Sequence, residues 1–304
     1  MHTAQVTTWG QPPQYLPANP PPPPAANEVQ IKVTATGLHR IVRSRAAGSH
    51  YSKPGTLPHT PGIDGVGMTN EGRLVYFLTF TTGGSYSGII NVPKSAVWPL
   101  PDGVDALQVA AMVNPVLSSW MALRARAAGL KVGFTVVIVG VTSASGSVAV
   151  DVARAVGAGR VIGVARNEEK MVALELDQRI ILRSPATDTD FSLLGDVDVV
   201  LDYVYGPPAV HLLQSLKSSR PVQYVHIGSL DSPDISLPGS VLRGKDVTIR
   251  GSGIGSWGLA QVGAEIPEIL EALRLVRYHQ VRAVPLSDVD SVWNEGGDRV
   301  VFVP

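Results

Sequence analysis

Hydrophobic positions follow two different patterns in this chain, and the change comes near Asp105. Before it, Val29, Ile31, Val33 and Ala35 alternate with polar neighbours, which predicts a half-buried strand over residues 29–35. From there to about Trp98 the turn signals Lys53-Pro54-Gly55, Pro61-Gly62, Asn70-Glu71-Gly72 and Gly83-Gly84 separate short apolar stretches. This reads as an all-β, barrel-like region. The five prolines 20–24 ahead of it form a stiff spacer. By composition they also fit a ligand for an aromatic-lined groove, but a rigid turn before the first strand is the simpler reading.

After Asp105, apolar runs of strand length alternate with stretches of helical period. Residues 134–139 are a continuous β-branched run, the mark of a parallel strand covered on both faces. Val148, Val152, Ala155 and Val156 then recur at helical spacing up to Gly157. Residues 160–165 predict a second strand and 167–175 a second helix, while 198–202, 223–227 and 247–250 supply three further strands. Strand–helix alternation of this kind builds right-handed parallel units and a doubly wound sheet. A helix over 266–278, striped by Ile266, Ile269, Leu270, Leu273 and Val276, precedes two more strand-like segments at 281–285 and 299–303. The fold class is α/β: a β-rich domain interrupted by a nucleotide-binding domain, with the C-terminal tail returning to the first.

Composition narrows the functional classes. The 304 residues carry 25 basic and 25 acidic side chains, and a neutral chain lacks the basic field of a general nucleic-acid binder. There is no cysteine, which removes disulfides, thiolate metal sites and thiol nucleophiles together. The first ten residues lack the basic start and apolar run of a secretory leader. The most apolar window, 132–141, is half of what a spanning helix needs. These features predict a soluble, cytoplasmic protein that acts on a small molecule, with no nucleic-acid or membrane partner.

The first candidate chemistry is the loop Gly140-x-x-Ser143-x-x-Gly146, set between a hydrophobic strand and a helix. There a phosphate meets free backbone N–H groups. Gly140 supplies the tight turn and Gly146 the close helix–strand packing. Thr142, Ser143 and Ala144 lie between them, with Ser143 where glycine is usual; its hydroxyl adds a donor while its Cβ narrows the space. At the end of the second strand, NAD-selective folds place a carboxylate for the ribose 2′-hydroxyl. Here the strand ends Ala165-Arg166-Asn167, with Lys170 one turn later. Arg166 and Lys170 suit a 2′-phosphate, so the expected cofactor is NADPH; the plainer alternative is a solvated pair of basic side chains.

Several motifs now stand in register: Ala35-Thr36-Gly37-Leu38-His39, Gly48-Ser49-His50-Tyr51, the run from Leu57 through Pro61-Gly62-Ile63-Asp64 to Gly67, Leu100-Pro101-Asp102-Gly103, Ala110-Ala111, the Gly140 loop, and Gly157 to Val161. Together they resemble the medium-chain dehydrogenase/reductase superfamily, and within it the zinc-free quinone oxidoreductase branch. The resemblance covers nearly the whole chain. It implies a GroES-like catalytic domain over 1–115 and 265–304 and a Rossmann NADPH-binding domain over 116–264. Zinc-dependent members hold their metal with Cys, His and Cys; the matching positions here are His39, Ile63 and Asn114, and the four-cysteine structural lobe is missing, so no metal is expected. The segment 67–75 is short compared with other members.

A cleft without zinc suits acceptors that take hydride unaided, namely quinones and α,β-unsaturated carbonyls, with natural-product tailoring as one setting. By matching position, Tyr51, His39 and Asn114 are the donors expected near the reacting carbonyl, although Tyr51 also fits a packing role with its hydroxyl in solvent. Ser118, Ser119, Tyr203, Gly228, Ser229, Gly251, Ser252 and Gly253 are the further cofactor contacts, each of the glycine sites also readable as a plain turn. The resemblance also implies a homodimer, with 235–241 and 247–253 as candidates for its edge. Two alternatives remain at this point: a non-redox isomerase or cyclase using His39 and Tyr51 as acid and base, and a protein that binds NADPH without turnover.

Overall fold

The computed structural model describes residues 1–304 apart from Tyr278 and Asp298. It divides into two compact units, one of Met1–Asn114, Gly263–Arg274 and Tyr278–Pro304, the other of Pro115–Val262 and Leu275–Arg277.

The second unit is built on six parallel strands. Across the sheet they run Gln178–Ile181, Arg160–Ala165, Thr135–Val139, Val199–Asp202, Val222–His226 and Val247–Gly251. Numbered by position in the chain, that order is 3-2-1-4-5-6, the arrangement of a Rossmann fold, with the switch point between Thr135–Val139 and Val199–Asp202. Both central strands are buried along their whole length, as the continuous apolar runs require. Five strands fall within a residue or two of where the hydrophobic pattern puts them. The sixth, Gln178–Ile181, has only two apolar residues behind Gln178 and Arg179, too little pattern to read. The helix expected at 167–175 is shorter, Glu168–Val172.

The first unit carries a seven-stranded sheet. Its path is Val281–Pro285, Arg299–Val303, Glu28–Gly37, Asp64–Thr69, Leu74–Leu78 and Val97–Pro99, with Ile89–Pro93 also paired to Glu28–Gly37. All pairs are antiparallel except that between the two C-terminal strands. The C-terminal strand therefore lies beside Glu28–Gly37, with Val301 opposite Gly37 and Phe302 opposite Thr36. The short 67–75 segment is a tight return between two paired strands, closed by Thr69 N–H donating to Arg73 O at 2.9 Å. This separate sheet and the Rossmann sheet together make the mixed α/β fold.

The helix expected over 266–278 runs Leu259–Ala272 instead, with Ile266, Ile269 and Leu270 buried as the stripe requires; the last residue of the expected helix, Tyr278, lies outside the described residues. The stretch Ala106–Arg126 is long and apolar enough to cross a bilayer, but 72% of its most apolar window is buried within the protein.

Candidate functional site

In the second unit the loop after Thr135–Val139 turns at Gly140, whose φ of +84° is open to glycine and strained for other residues. A Cβ there would also sit 2.8 Å from Val204 Cγ2. The next helix, Ala144–Ala155, begins at Ser143, whose Oγ accepts the Gly146 N–H at 3.0 Å. A Cβ on Gly146 would lie 2.2 Å from Gly140 O, so no larger residue lets the helix start this close to the strand. The serine thus works as an N-cap. Its oxygen accepts that bond, and its hydroxyl hydrogen keeps the capacity to donate. Thr142 and Ser143 are half-buried and Ala144 is exposed.

One strand over, Arg160–Ala165 delivers Arg166 to an exposed position. Asn167 caps the following helix, its Oδ1 accepting from Lys170 N at 2.9 Å. Glu168 and Glu169 occupy the first turn, where the helix dipole favours them. The exposed Arg166 and Lys170 side chains lie either side of that cap in the sequence.

Beyond the switch point the strand ends carry aromatic and acidic groups. Asp202 is fully buried and accepts from Val204 N at 2.7 Å, from Tyr205 N and from the Tyr224 hydroxyl. Burial raises its pKa, against the lowering effect of those bonds. Tyr203 is buried, with its hydroxyl 3.3 Å from Ser118 Oγ and its pKa pushed up to about 12 by desolvation. Ser118 and Ser119 also donate back to Pro115 O and Val116 O. Ser118, Ser119 and Tyr203 are therefore brought together, largely inside the unit. Tyr205 is half-buried and its ring lies 4.1 Å from that of His226, whose Nε2 is 3.1 Å from Ser229 Oγ. Gly228 N–H donates to Asp202 O at 3.1 Å, which ties the loop after the fifth strand to the end of the fourth. Gly251 closes the edge strand and takes the Arg126 Nε–H on its carbonyl at 2.8 Å. Ser252 is buried with its N–H on His226 O, and Gly253 N–H donates to Ser256 Oγ.

In the first unit, the strand Glu28–Gly37 ends just before His39. The imidazole folds back over Gly37, where a Cβ would stand 2.4 Å from His39 Nε2 and 2.3 Å from Ala110 O. Nε2 lies 3.2 Å from Asp64 Oδ1, with side chains 7% and 1% exposed. The contact does not meet hydrogen-bond geometry, and neither atom has a hydrogen-bond partner among the described residues. Asp64 Oδ2 accepts from the Tyr76 hydroxyl at 3.0 Å, and Asp64 O accepts from Thr36 Oγ1 at 2.8 Å. Burial, then the Asp64 charge, then that hydrogen bond raise the Tyr76 pKa well above the usual phenol value. From the sequence alone neither Asp64 nor Tyr76, which pack at His39, is assigned a role; the visible signal is that Asp64 is the first acidic residue after Glu28.

Tyr51, Asn114 and Ile63 belong to the same unit. Tyr51 is 72% exposed and stacks on His50 at 4.3 Å between ring centroids. Asn114 is half-buried in the helix Ala106–Met121. Ile63, at the position that resembles a metal ligand's, is buried in a hydrophobic cluster with Val42 and Tyr86.

No protein-family model matches the chain. It is 36% identical, along the full length of both chains, to the probable NADPH-dependent quinone reductase tdiC of Emericella nidulans. It is 32% identical to the quinone oxidoreductase of Sus scrofa over 54% of this chain and 50% of that protein. Among solved structures, the Escherichia coli quinone oxidoreductase complexed with NADPH superposes with a TM-score of 0.82 at 19% identity, covering all of both chains. The quinone oxidoreductase of Thermus thermophilus, also solved with NADPH, gives 0.80 at 26% identity over all of both chains.

Proposed function

This chain belongs to the zinc-free quinone oxidoreductase branch of the medium-chain dehydrogenase/reductase superfamily, and we propose that it is an NADPH-dependent reductase of quinones or α,β-unsaturated carbonyls. The observation that carries this reading is the Gly140–Gly146 cradle, followed one strand later by exposed Arg166 and Lys170, in a chain alike from end to end to the probable NADPH-dependent quinone reductase tdiC.

The cradle suits a dinucleotide. The backbone turns without a side chain at Gly140, and the helix that starts at Ser143 offers free N–H groups and a hydroxyl to a phosphate. Arg166 and Lys170 hold the 2′-phosphate, Arg166 by a charge-assisted bond. Ser229, Gly251 and Gly253, at the carboxyl ends of the last two strands, contact the other half of the cofactor. NADPH, when bound, supplies the hydride.

The rest of the chemistry belongs to the first unit, as the catalytic domain. Hydride arriving on a quinone leaves an oxyanion that must be stabilised and then protonated, giving the hydroquinone. His39, Tyr51 and Asn114 are the donors we assign to that oxygen. Asp64 is a positioning residue: with Tyr76 and Gly37 it fixes the His39 ring at one place. The enzyme works on a small molecule in the cytoplasm and as a homodimer. The edge strand Val247–Gly251 supports the dimer, because among the described residues it is paired on one side only and Ile249 is 37% exposed on it.

Anaerobic assays of NADPH oxidation with a panel of quinones and enones test the function. Turnover at the expense of NADPH supports it; no oxidation with any acceptor sinks it. Light scattering coupled to size exclusion tests the dimer, and a monomer at micromolar concentration refutes it.

A further inference from the structure

A cavity of about 310 Å³ lies within the first unit, walled in part by Val42, Arg45, His59, Ile63, Thr82 and Gly83. Three buried side-chain atoms of these residues have no hydrogen-bond partner among the described residues: Nδ1 and Nε2 of His59 and Oγ1 of Thr82. Buried polar atoms in a folded protein are nearly always satisfied, by protein, water or ligand. The Arg45 guanidinium likewise makes no ion pair or hydrogen bond with any described residue. Four polar groups without protein partners thus belong to the lining of one concave space.

Among the residues lining the cavity, the one formally charged side chain is basic, that of Arg45. Residues 29–63 contain Lys32, Arg40, Arg43, Arg45 and Lys53 without a single aspartate or glutamate, and residues 74–101 contain no acid either. Every residue named in the wall falls in these two stretches. Asp64, next in the chain, turns its carboxylate to His39 and Tyr76 instead. Burial, and then the nearby Arg45 charge, lower the His59 pKa, so its imidazole is neutral near pH 7 and offers one donor and one acceptor. Thr82 adds a hydroxyl donor. Val42 and Ile63 give an apolar wall for a ring.

We propose that this cavity receives an anionic oxygen of the substrate, so that the enzyme prefers quinones carrying an ionised hydroxyl or carboxylate group. Arg45 carries the countercharge, and His59 and Thr82 donate the remaining hydrogen bonds. The volume lies at the small end of ligand sites and takes a single small ring system, not a dinucleotide. The place also fits: Ile63 forms part of the wall, and its neighbour Asp64 positions His39. This inference rests on the quinone reductase reading and adds a substrate class to it.

The test compares 2-hydroxy-1,4-naphthoquinone, an anion at neutral pH, with uncharged 1,4-naphthoquinone, in wild type, Arg45→Gln and Thr82→Val. Arg45→Gln is expected to raise KM for the anion by about tenfold to a hundredfold, the range for a lost hydrogen bond to a charged group. KM for the neutral quinone and Kd for NADPH stay at wild-type values. Thr82→Val shifts the anion alone, by a smaller factor. Equal changes for both quinones, or none for either, overturn the proposal. A rise in the NADPH Kd with unchanged quinone KM overturns it too, since the anion held would then be a cofactor phosphate. If the wild type oxidises NADPH with neither quinone nor any other acceptor of the panel, the reductase reading fails by itself. Fluorescence titration of wild type and Arg45→Gln with the hydroxynaphthoquinone anion still decides the cavity: weaker binding in the variant supports it, equal binding refutes it.

Discussion

The carboxylate of Asp202 holds the backbone N–H of Tyr205 at 3.1 Å while Tyr205 stands at φ +59° and ψ −158°. Among the described residues it is the one non-glycine with positive φ. That region belongs essentially to glycine, and a side chain there costs about 1–3 kcal/mol. The position is also the N-cap of the helix Gly206–Ser215, where tyrosine supplies no capping bond. Two local rules are broken at one residue, and the buried Asp202 together with the His226 ring keeps it in place. At ordinary sites alanine is more stabilising than glycine. Here the order reverses: Tyr205→Gly is expected to be more stable than Tyr205→Ala by about 1–3 kcal/mol, because only glycine relieves the strain. Urea denaturation of the two variants measures the difference, and an alanine variant of equal or greater stability contradicts the strain.

Asp64 offers a second test, in the other unit. Its carboxylate is the shared partner of His39 and the Tyr76 hydroxyl. Asp64→Leu leaves the buried Tyr76 phenol unpaired and removes the carboxylate beside the buried His39 ring, and is expected to cost about 1–3 kcal/mol. Tyr76→Phe removes one neutral donor and costs about 1 kcal/mol. The two losses overlap, so the double variant falls short of their sum. Thermal unfolding of the three variants measures the overlap, and strict additivity shows that Asp64 and Tyr76 do not act as a unit.

How much of this was legible in the sequence depends on the range of the interactions. The Gly140 turn, its strand and its helix are local, so the apolar run 134–139 and the spacing of Gly140, Ser143 and Gly146 carry them in full. The capping role of Ser143 is also local, but a phosphate-loop reading draws attention to its hydroxyl proton rather than its oxygen. The His39–Asp64 pair joins positions 25 apart, brought near each other where the strands Glu28–Gly37 and Asp64–Thr69 pair, with Ala35 opposite Val66. No periodicity encodes that. The cavity at Arg45 is further out of reach, since its wall comes from the 42–63 and 79–84 segments, which meet only when the sheet is formed. Tyr205 shows the opposite case: its place at the end of the fourth strand is visible, and its backbone angle is not.

Cofactor choice is the third prediction. Arg166 and Lys170 are exposed at the end of the second strand, and no carboxylate stands at the strand tip to take a ribose hydroxyl. Arg166→Ala is expected to weaken NADPH binding by about tenfold to a hundredfold, as for loss of a hydrogen bond between charged partners. NADH binding stays unchanged, since it has no 2′-phosphate. Calorimetric titration with both nucleotides measures it. Equal weakening of the two would assign Arg166 to the adenine or to the fold rather than to the phosphate.

The last prediction concerns acid. His50, His59 and His226 all have pKa values below the usual imidazole value, each mainly through burial; Arg45 adds to the effect at His50 and His59, while Asp202 opposes it at His226. A folded state that resists protonation is penalised once the unfolded chain takes up protons. The penalty begins as pH falls through about 6.5, the value in an unfolded chain, and stops growing below the folded-state pKa. Above that window the three histidines are neutral in both states and contribute nothing. Stability is therefore expected to be flat from pH 8 to about 7 and to fall as pH drops below about 6.5. His59→Gln removes one of the three contributions, so its stability falls less steeply over the same window. Urea denaturation at half-unit steps of pH measures both slopes. An anion in the Arg45 cavity offsets the Arg45 charge and favours His59 protonation. With 2-hydroxy-1,4-naphthoquinone bound, the His59 ring resonances should then titrate at higher pH than in the free protein, and no displacement would mean the anion does not reach His59.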